Sequence, residues 1–130
     1  MLHPNQSIVI HAAGDLRIET RDIAQPSADE VLVHMRTGGI CGSDLHYFQH
    51  GGFGPIQLRE PMVLGHEVSG IVSAIGIGVT QVRVGQLVAV SPSRPCFDCL
   101  YCSAGQENHC LNMRFYGSAM PYPHIQGAFQ

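Results

Sequence analysis

The stretch PCFDCLYCSAGQENHC, residues 95–110, carries four of the five cysteines of this 130-residue chain. They lie at Cys96, Cys99, Cys102 and Cys110, with the spacing C-x2-C-x2-C-x7-C. Two residues between cysteines let a loop turn so that its sulfur atoms face one point. A fourth sulfur completes a tetrahedral S4 shell, which suits Zn²⁺ with bonds of about 2.3 Å. Because that shell leaves no position for a substrate, the spacing predicts a structural zinc site.

Three other interpretations of the cysteine loop compete with zinc. Disulfides are disfavoured by the odd number of cysteines and by the first five residues, MLHPN, which do not resemble a signal peptide. An iron–sulfur cluster also uses C-x2-C-x2-C. Its bacterial form closes after a shorter gap with Cys-Pro, whereas here Leu111 follows the last cysteine. Four buried thiols without a metal fit poorly in so polar a loop, so zinc is favoured.

The composition limits the classes of function that the chain can have. With 130 residues, of which 45% are hydrophobic, one modest core is expected. The net charge is −3, with seven arginines, no lysine and no basic run, so no nucleic-acid partner is expected. No apolar stretch reaches the roughly 18 residues that span a bilayer, so no membrane partner is expected either. The cysteine pattern indicates free thiols rather than disulfides, and the sequence shows neither a signal peptide nor a membrane anchor. Together these features predict a cytoplasmic protein.

Short β-branched runs separated by glycine turns precede the cysteine loop. Their alternating patterns predict a hairpin of strands over residues 7–13 and 16–20, and further strands over 30–40, 68–75 and 86–90. A short helix is predicted to begin with Ser43 or Asp44 as its N-cap, and residues 51–55 are predicted to form an open loop. No helix longer than about two turns is expected before Cys102. This density of short strands predicts an antiparallel barrel or sandwich.

The fifth cysteine belongs to a second candidate site. Cys41 follows a predicted strand and two glycines, and the tripeptide Gly65-His66-Glu67 follows another apolar segment. Thiolate, imidazole and carboxylate are ligand types of catalytic zinc sites, in which water or substrate takes the fourth position. Spacing alone leaves a second interpretation open, namely a buried free thiol beside a surface His-Glu pair.

Three motifs, in this order, resemble those of zinc-dependent medium-chain alcohol and polyol dehydrogenases. They are CGSDLH at residues 41–46, GHEVSG at residues 65–70 with Gly76 and Val79 beyond it, and the four-cysteine loop. The resemblance covers essentially the whole chain, and its flanking residues are similar to the branch that acts on polyols and sugar acids. It implies a mainly β fold: a GroES-like, partly open antiparallel β-barrel with short helices and a zinc-binding lobe, incomplete at its carboxy-terminal end.

The resemblance also implies roles for individual residues. Cys41, His66 and Glu67 would hold a catalytic zinc, which in this family polarises the alcohol oxygen so that an alkoxide can give a hydride to NAD(P)⁺. Ser43 matches a hydroxyl that touches the substrate oxygen and passes its proton outward. His46 matches a relay base, with a plain helix-surface histidine as the alternative. The four cysteines of the loop match a structural-zinc lobe at about residues 92–112.

The chain also departs from the family pattern. Family members carry a Rossmann domain with a G-x-G-x-x-G turn, and no such motif occurs in residues 1–130. Polyol members draw a further carboxylate from beyond residue 130. We therefore expect residues 1–130 to be the amino-terminal portion of a catalytic domain, inactive alone and with a catalytic zinc site that can be empty. The full-length enzyme would use NAD or NADP, take a small polyol or sugar acid, and form a homo-oligomer.

Two other hypotheses compete with the catalytic domain, one from a different class and one for a related enzyme. A stand-alone zinc-stabilised binding module without redox activity would need one zinc, whereas the catalytic domain needs two. A related enzyme that has lost its catalytic zinc and reduces quinones or enones is disfavoured, because Cys41, His66 and Glu67 are all present.

Overall fold

The computed structural model describes residues 5–130. The strands in this range are β1 (Gln6–Ala12), β2 (Asp15–Thr20), β3 (Val31–Gly39), β4 (Gly52–Phe53), β5 (Ile56–Gln57), β6 (Met62–Val63), β7 (Glu67–Ile75), β8 (Leu87–Val90), β9 (Ser93–Arg94) and β10 (Arg114–Phe115). The helices are α1 (Gly42–His50) and α2 (Leu100–Ser103), and a 3₁₀ turn covers Glu107–His109. Neither α1 nor α2 has the length and apolar character needed to cross a bilayer. The interpretation that residues 1–5 do not resemble a signal peptide falls almost entirely on residues 1–4, which lie outside the described residues.

The predicted hairpin is confirmed as the pair β1 and β2. The strands pair antiparallel with Val9 opposite Arg17, and β6 adds to the other side of β1 with Val63 opposite Val9. Gly14 makes the turn with a φ of 75°, a left-handed conformation that glycine adopts without a steric penalty. The resulting sheet has the strand order β2-β1-β6. It places the segment that follows β6, and therefore His66, beside the core.

The second large sheet brings two distant stretches of sequence together. Its strand order is β3-β7-β8, and all of its pairs are antiparallel. The register places Gly39, the last residue of β3, opposite Glu67, the first residue of β7. Since Cys41 follows β3 by two residues and His66 precedes β7 by one, this register alone brings the candidate ligands to one end of the sheet.

The fold class is confirmed as mainly β with short helices. Two small two-stranded sheets, β4-β5 and β9-β10, complete the described residues, and none of the sheets in residues 5–130 closes into a barrel. The prediction of an open loop over residues 51–55 is wrong, because β4 and β5 form a tight hairpin there. Gly52 permits it: a Cβ on this residue would lie 2.9 Å from the Gln57 Cα, so only glycine lets the two backbones approach.

The predicted short helix is present, but its predicted N-cap is wrong. Cys41, rather than Ser43 or Asp44, is the N-cap of α1, with an extended backbone at φ −87° and ψ 157°. Asp44 instead occupies the third helical position, and its Oδ2 accepts the Cys41 backbone N–H at 3.0 Å. A carboxylate can satisfy the helix start from this position as well as from the cap itself. The helix therefore begins two residues earlier than a capping Ser43 would place it.

The core lies between α1, β1 and β6. It consists of Ile10, Tyr47, Met62, Leu64 and Ala119. Tyr47 is the largest of the fully buried side chains, and its hydroxyl oxygen accepts the Ala119 N–H at 3.0 Å. Burial raises the pKa of the Tyr47 phenol above its usual value. The phenol therefore stays neutral and ties residues 118–120 to the helix.

His124 fastens the carboxy-terminal segment to the body of the domain. Its side chain is buried, with 6% of its surface exposed. The ring Nε2 accepts the Arg59 N–H at 2.9 Å, and the ring Nδ1 lies 2.8 Å from the Pro121 carbonyl oxygen. Since Nε2 is an acceptor, the proton of the neutral ring is on Nδ1, which donates to Pro121. The His124 N–H also donates to the Glu60 carboxylate at 2.6 Å.

We expect His124→Ala to lower the free energy of unfolding by roughly 1–3 kcal/mol, because it leaves the Arg59 N–H and the Pro121 carbonyl without their partner. Urea unfolding followed by circular dichroism measures the change. His34→Ala, which removes an exposed histidine of β3, is the matched control and should change stability by at most about 0.5 kcal/mol. Equal stabilities for the two variants would contradict the assignment.

Candidate functional site

The four cysteines of the loop converge on one point. The Sγ atoms of Cys96, Cys99, Cys102 and Cys110 all lie within 4.8 Å of one another. The Sγ atoms of Cys96 and Cys110 are 3.5 Å apart. A disulfide would require about 2.05 Å, and tetrahedral Zn–S bonds of about 2.3 Å place sulfurs roughly 3.8 Å apart. All five cysteines are free thiols. This four-cysteine cluster therefore has the spacing of a metal shell, not of disulfides.

Backbone geometry supports thiolates at this cluster. Phe97 adopts a left-handed φ of 60°, which turns the chain between Cys96 and Cys99. The N–H groups of Cys96 and Asn112 donate to the Cys110 sulfur at 3.2 and 3.3 Å. Such donors stabilise a negatively charged sulfur. The donor set and its surroundings thus fit Zn²⁺, which binds deprotonated cysteine.

The pKa values of the thiols show why a cation suits this cluster. Backbone N–H groups of Cys102 and Leu111 hydrogen-bond the Cys99 sulfur and lower its pKa to about 6. Burial raises the pKa of the Cys102 thiol to about 12. The Cys99 sulfur therefore ionises readily, whereas the buried Cys102 sulfur resists ionisation until a counter-charge is present. A divalent cation supplies that counter-charge, and its binding must release protons.

The structure also brings together Cys41, His66 and Glu67, hereafter the three-ligand site. One ligand atom from each residue lies within 4.8 Å of those of the other two. His66 is buried, Cys41 is half-buried and Glu67 is exposed, so the group opens toward solvent on the carboxylate side. A Cβ on Gly39 would lie 2.6 Å from the Glu67 Oε2, so a larger residue at position 39 would push this carboxylate away from its present place.

Asp44 is a further residue of this site that sequence reasoning did not assign to it. The residue is 4% exposed, and its Oδ1 accepts the Gly65 N–H at 3.4 Å while Oδ2 accepts the Cys41 N–H at 3.0 Å. The same Oδ1 lies 3.9 Å from the His66 Nδ1, a buried nitrogen that has no hydrogen-bond partner within residues 5–130. The sequence signal was present, since an acid three residues after an N-cap indicates a capping box.

The negative charge of Asp44 explains how the His66 ring can act as a ligand. A proton on Nδ1 is favoured by the nearby carboxylate, and it leaves the lone pair of Nε2 available to a metal. The Phe115 ring lies edge-on to the imidazole, with centroids 5.6 Å apart. An imidazole, a thiol and a carboxylate within one small volume fit Zn²⁺ with an open position.

Ser43 and His46 both lie on α1, which begins directly after Cys41. Ser43 is half-buried in the first turn of the helix. His46 is exposed, and its ring centroid lies 5.8 Å from that of Phe53 and 6.0 Å from that of His50. The structure thus places His46 on the surface of the helix, where either of the two interpretations of this residue can apply.

Known proteins share this architecture. Residues 27–130 match the alcohol dehydrogenase GroES-like domain family. The chain belongs to this family. It is 52% identical over 98 residues to the L-idonate 5-dehydrogenase (NAD(P)(+)) of Escherichia coli strain K12, covering 75% of this chain and 28% of that protein. It is 48% identical over 104 residues to the sorbitol dehydrogenase of Gallus gallus, covering 80% of this chain and 29% of that protein.

Solved structures agree with this membership. The crystal structure of the Escherichia coli L-idonate 5-dehydrogenase matches this GroES-like domain with a TM-score of 0.86 and 44% identity, over 95% of this chain and 35% of that one. The chain thus spans about a third of the length of these relatives. The resemblance to zinc-dependent medium-chain dehydrogenases is confirmed.

For the four-cysteine cluster, we expect Cys99→Ser to lower protein-bound zinc by one equivalent and to loosen residues 92–112, because binding and folding of this lobe are linked. Atomic spectroscopy measures the zinc, and amide exchange reports the order of the lobe. Ser103→Ala, in the same helix, is the control and should keep the zinc. An unchanged zinc content in Cys99→Ser would refute the structural-zinc assignment.

For the three-ligand site, we expect Asp44→Asn to weaken metal binding by about 10–100-fold, the usual effect of removing the partner of a ligating histidine. The amide oxygen can still accept the Cys41 N–H, so the helix start should persist. Competition with a coloured chelator gives the affinity. Asp15→Asn, at an exposed carboxylate paired with Arg17, should leave it unchanged. A similar affinity for both variants would show that Asp44 does not act on His66.

Proposed function

We propose that this chain is the zinc-binding catalytic-domain portion of an NAD(P)-dependent dehydrogenase that oxidises a secondary alcohol of a polyol or sugar acid. L-idonate, oxidised to 5-ketogluconate, is the proposed substrate, in line with the name of the L-idonate 5-dehydrogenase of Escherichia coli. The observation that carries the proposal is the convergence of Cys41, His66 and Glu67 on one open point, separate from the four-cysteine cluster.

The ligand set suits a Lewis acid that binds an alcohol. A zinc ion held there would lower the pKa of a bound hydroxyl, which is the chemistry that it supplies. A thiolate and a carboxylate bring two negative charges, and a neutral imidazole brings none. The summed charge of the three ligands therefore neutralises the charge of a divalent cation. The Asp44 carboxylate is not one of the three ligands. It lies beside the His66 ring, which it orients. Because Glu67 is exposed, a small polar substrate can reach the open position from solvent.

Ser43 and His46 are proposed to carry the alcohol proton away. They are three residues apart on α1 and therefore lie on the same face of the helix. The half-buried Ser43 hydroxyl can accept a proton from the substrate oxygen as it donates its own. The exposed His46 imidazole can take that proton and release it to water, because an imidazole can both accept and donate a proton.

We propose that the cofactor, NAD or NADP, binds to a separate domain. Residues 1–130 contain no G-x-G-x-x-G turn, and the relatives are about three times longer than this chain. Residues 1–130 are therefore assigned to the amino-terminal portion of the GroES-like domain, with the structural-zinc lobe at about 92–112. On this proposal the chain alone does not turn over substrate, and the whole enzyme is a cytoplasmic homo-oligomer.

Metal content separates this proposal from a stand-alone zinc-stabilised binding module. The catalytic-domain proposal expects two zinc ions per chain under saturating conditions, one for each cluster. A binding module would need only the ion of the four-cysteine cluster, and the three-ligand site would not bind metal.

We expect Cys41→Ala to remove one zinc and to abolish turnover in the longer protein, while the ion of the four-cysteine cluster stays bound. Zinc per chain is measured by atomic spectroscopy, and polyol oxidation by the absorbance of the reduced nicotinamide. Cys99→Ser, at the other cluster, is the matched control and should lose the other ion. Equal zinc and equal rates for Cys41→Ala and the parent would overturn the assignment.

A further inference from the structure

The segment that carries His66 rests on an aromatic ring from the end of the chain. Gly65 has a φ of 93°, and a Cβ on it would lie 2.6 Å from the Phe129 Cε1. The ring therefore occupies the space where a side chain at position 65 would be. This residue directly precedes His66, so the ring touches the backbone that sets the direction of the imidazole.

The same Cδ1–Cε1 side of the ring also faces the strand that leads to Cys41. A Cβ on Gly38 would lie 2.8 Å from the Phe129 Cε1, and Gly38 is three residues before Cys41 in the sequence. Two glycines from different elements thus face one ring. One side of the Phe129 ring therefore contacts both stretches of chain that carry the ligands.

Backbone hydrogen bonds keep the ring in this place. The N–H groups of Gly127, Phe129 and Ala128 donate to the carbonyl oxygens of residues 63, 64 and 65 at 2.7, 3.0 and 2.8 Å. The Phe129 carbonyl oxygen accepts the Ile8 N–H at 2.9 Å, which links the same residue to β1. Residues 127–129 therefore follow the segment before His66 at a fixed register.

We propose that Phe129 is a positioning residue for the three-ligand site, setting the distance between the Cys41 and His66 backbones. The proposal rests on the proposed function of that site. Strand pairing fixes Glu67 opposite Gly39, but Gly65 lies outside the strands and has the conformational freedom of glycine. The Phe129 ring limits the backbone conformations open to Gly65, and the hydrogen bond from the Gly65 N–H to Asp44 restrains the same backbone.

The test measures metal affinity at the three-ligand site in this chain, with the four-cysteine cluster first filled with one equivalent of Zn²⁺. Co²⁺ is then titrated, and its thiolate charge-transfer band reports binding at Cys41. Phe129→Ala should weaken Co²⁺ binding by about tenfold or more, the range seen when support for a ligand is removed. Leu58→Ala is the matched control, because Leu58 packs against the same core without facing Gly65 or Gly38.

A double mutant separates positioning from a general loss of stability. Gly38→Ala places a methyl group against the ring and should weaken Co²⁺ binding while Phe129 is present. Combined with Phe129→Ala, the methyl group meets no ring, so Gly38→Ala should have no further effect. Amide-exchange protection of Val9 and Val63 verifies that each variant is folded, and Gly38→Ala tests the same contact if Phe129→Ala does not fold.

The outcomes distinguish this inference from the proposed function. Weaker Co²⁺ binding in Phe129→Ala but not in Leu58→Ala, with the Gly38→Ala effect confined to the Phe129 background, supports it. Affinities within twofold of the parent in Phe129→Ala and Gly38→Ala, or equal losses in Phe129→Ala and Leu58→Ala, overturn it alone. A parent chain that binds no metal beyond the four-cysteine cluster overturns it together with the proposed function.

Discussion

A single buried carboxylate connects the parts of the three-ligand site. Burying a charge is unfavourable unless the charge is hydrogen-bonded, and Asp44 meets this condition by accepting N–H groups from Cys41 and Gly65. One of these residues begins α1 and the other precedes His66. The start of the helix and the ligand segment are therefore fixed by the same two oxygen atoms. The imidazole of His66 lies beside the same carboxylate, with its Nδ1 3.9 Å from the Asp44 Oδ1.

The two metal centres are built in different ways. The four-cysteine cluster takes all its ligands from 15 consecutive residues, so its geometry depends on local turns and on short elements such as α2. The three-ligand site takes its ligands from residues far apart in sequence, and the register of β3 against β7 brings them together. A local change in the loop should therefore affect only the first centre, whereas a shift of one residue in the sheet would dismantle the second.

This difference explains what the sequence could predict. Alternating apolar residues revealed the β1-β2 hairpin and the strands β3, β7 and β8, and the cysteine spacing revealed the loop cluster. The N-cap of α1 was mispredicted because a carboxylate in the third helical position serves the helix start as well as one in the cap. The β4-β5 hairpin was missed because its strands have two residues each, too short for any periodicity. Asp44, Phe115 and Phe129 act through tertiary contacts, which no local pattern records.

The close approach of Glu67 to Gly39 ties the evolution of these two positions to each other. A side chain at position 39 would meet the Glu67 Oε2, which is the far end of a flexible and exposed side chain. The carboxylate would turn aside while the pairing of β3 with β7 persists. Selection for the metal should therefore keep position 39 a glycine, and a lineage that no longer needs the metal could accept a larger residue there without losing the fold.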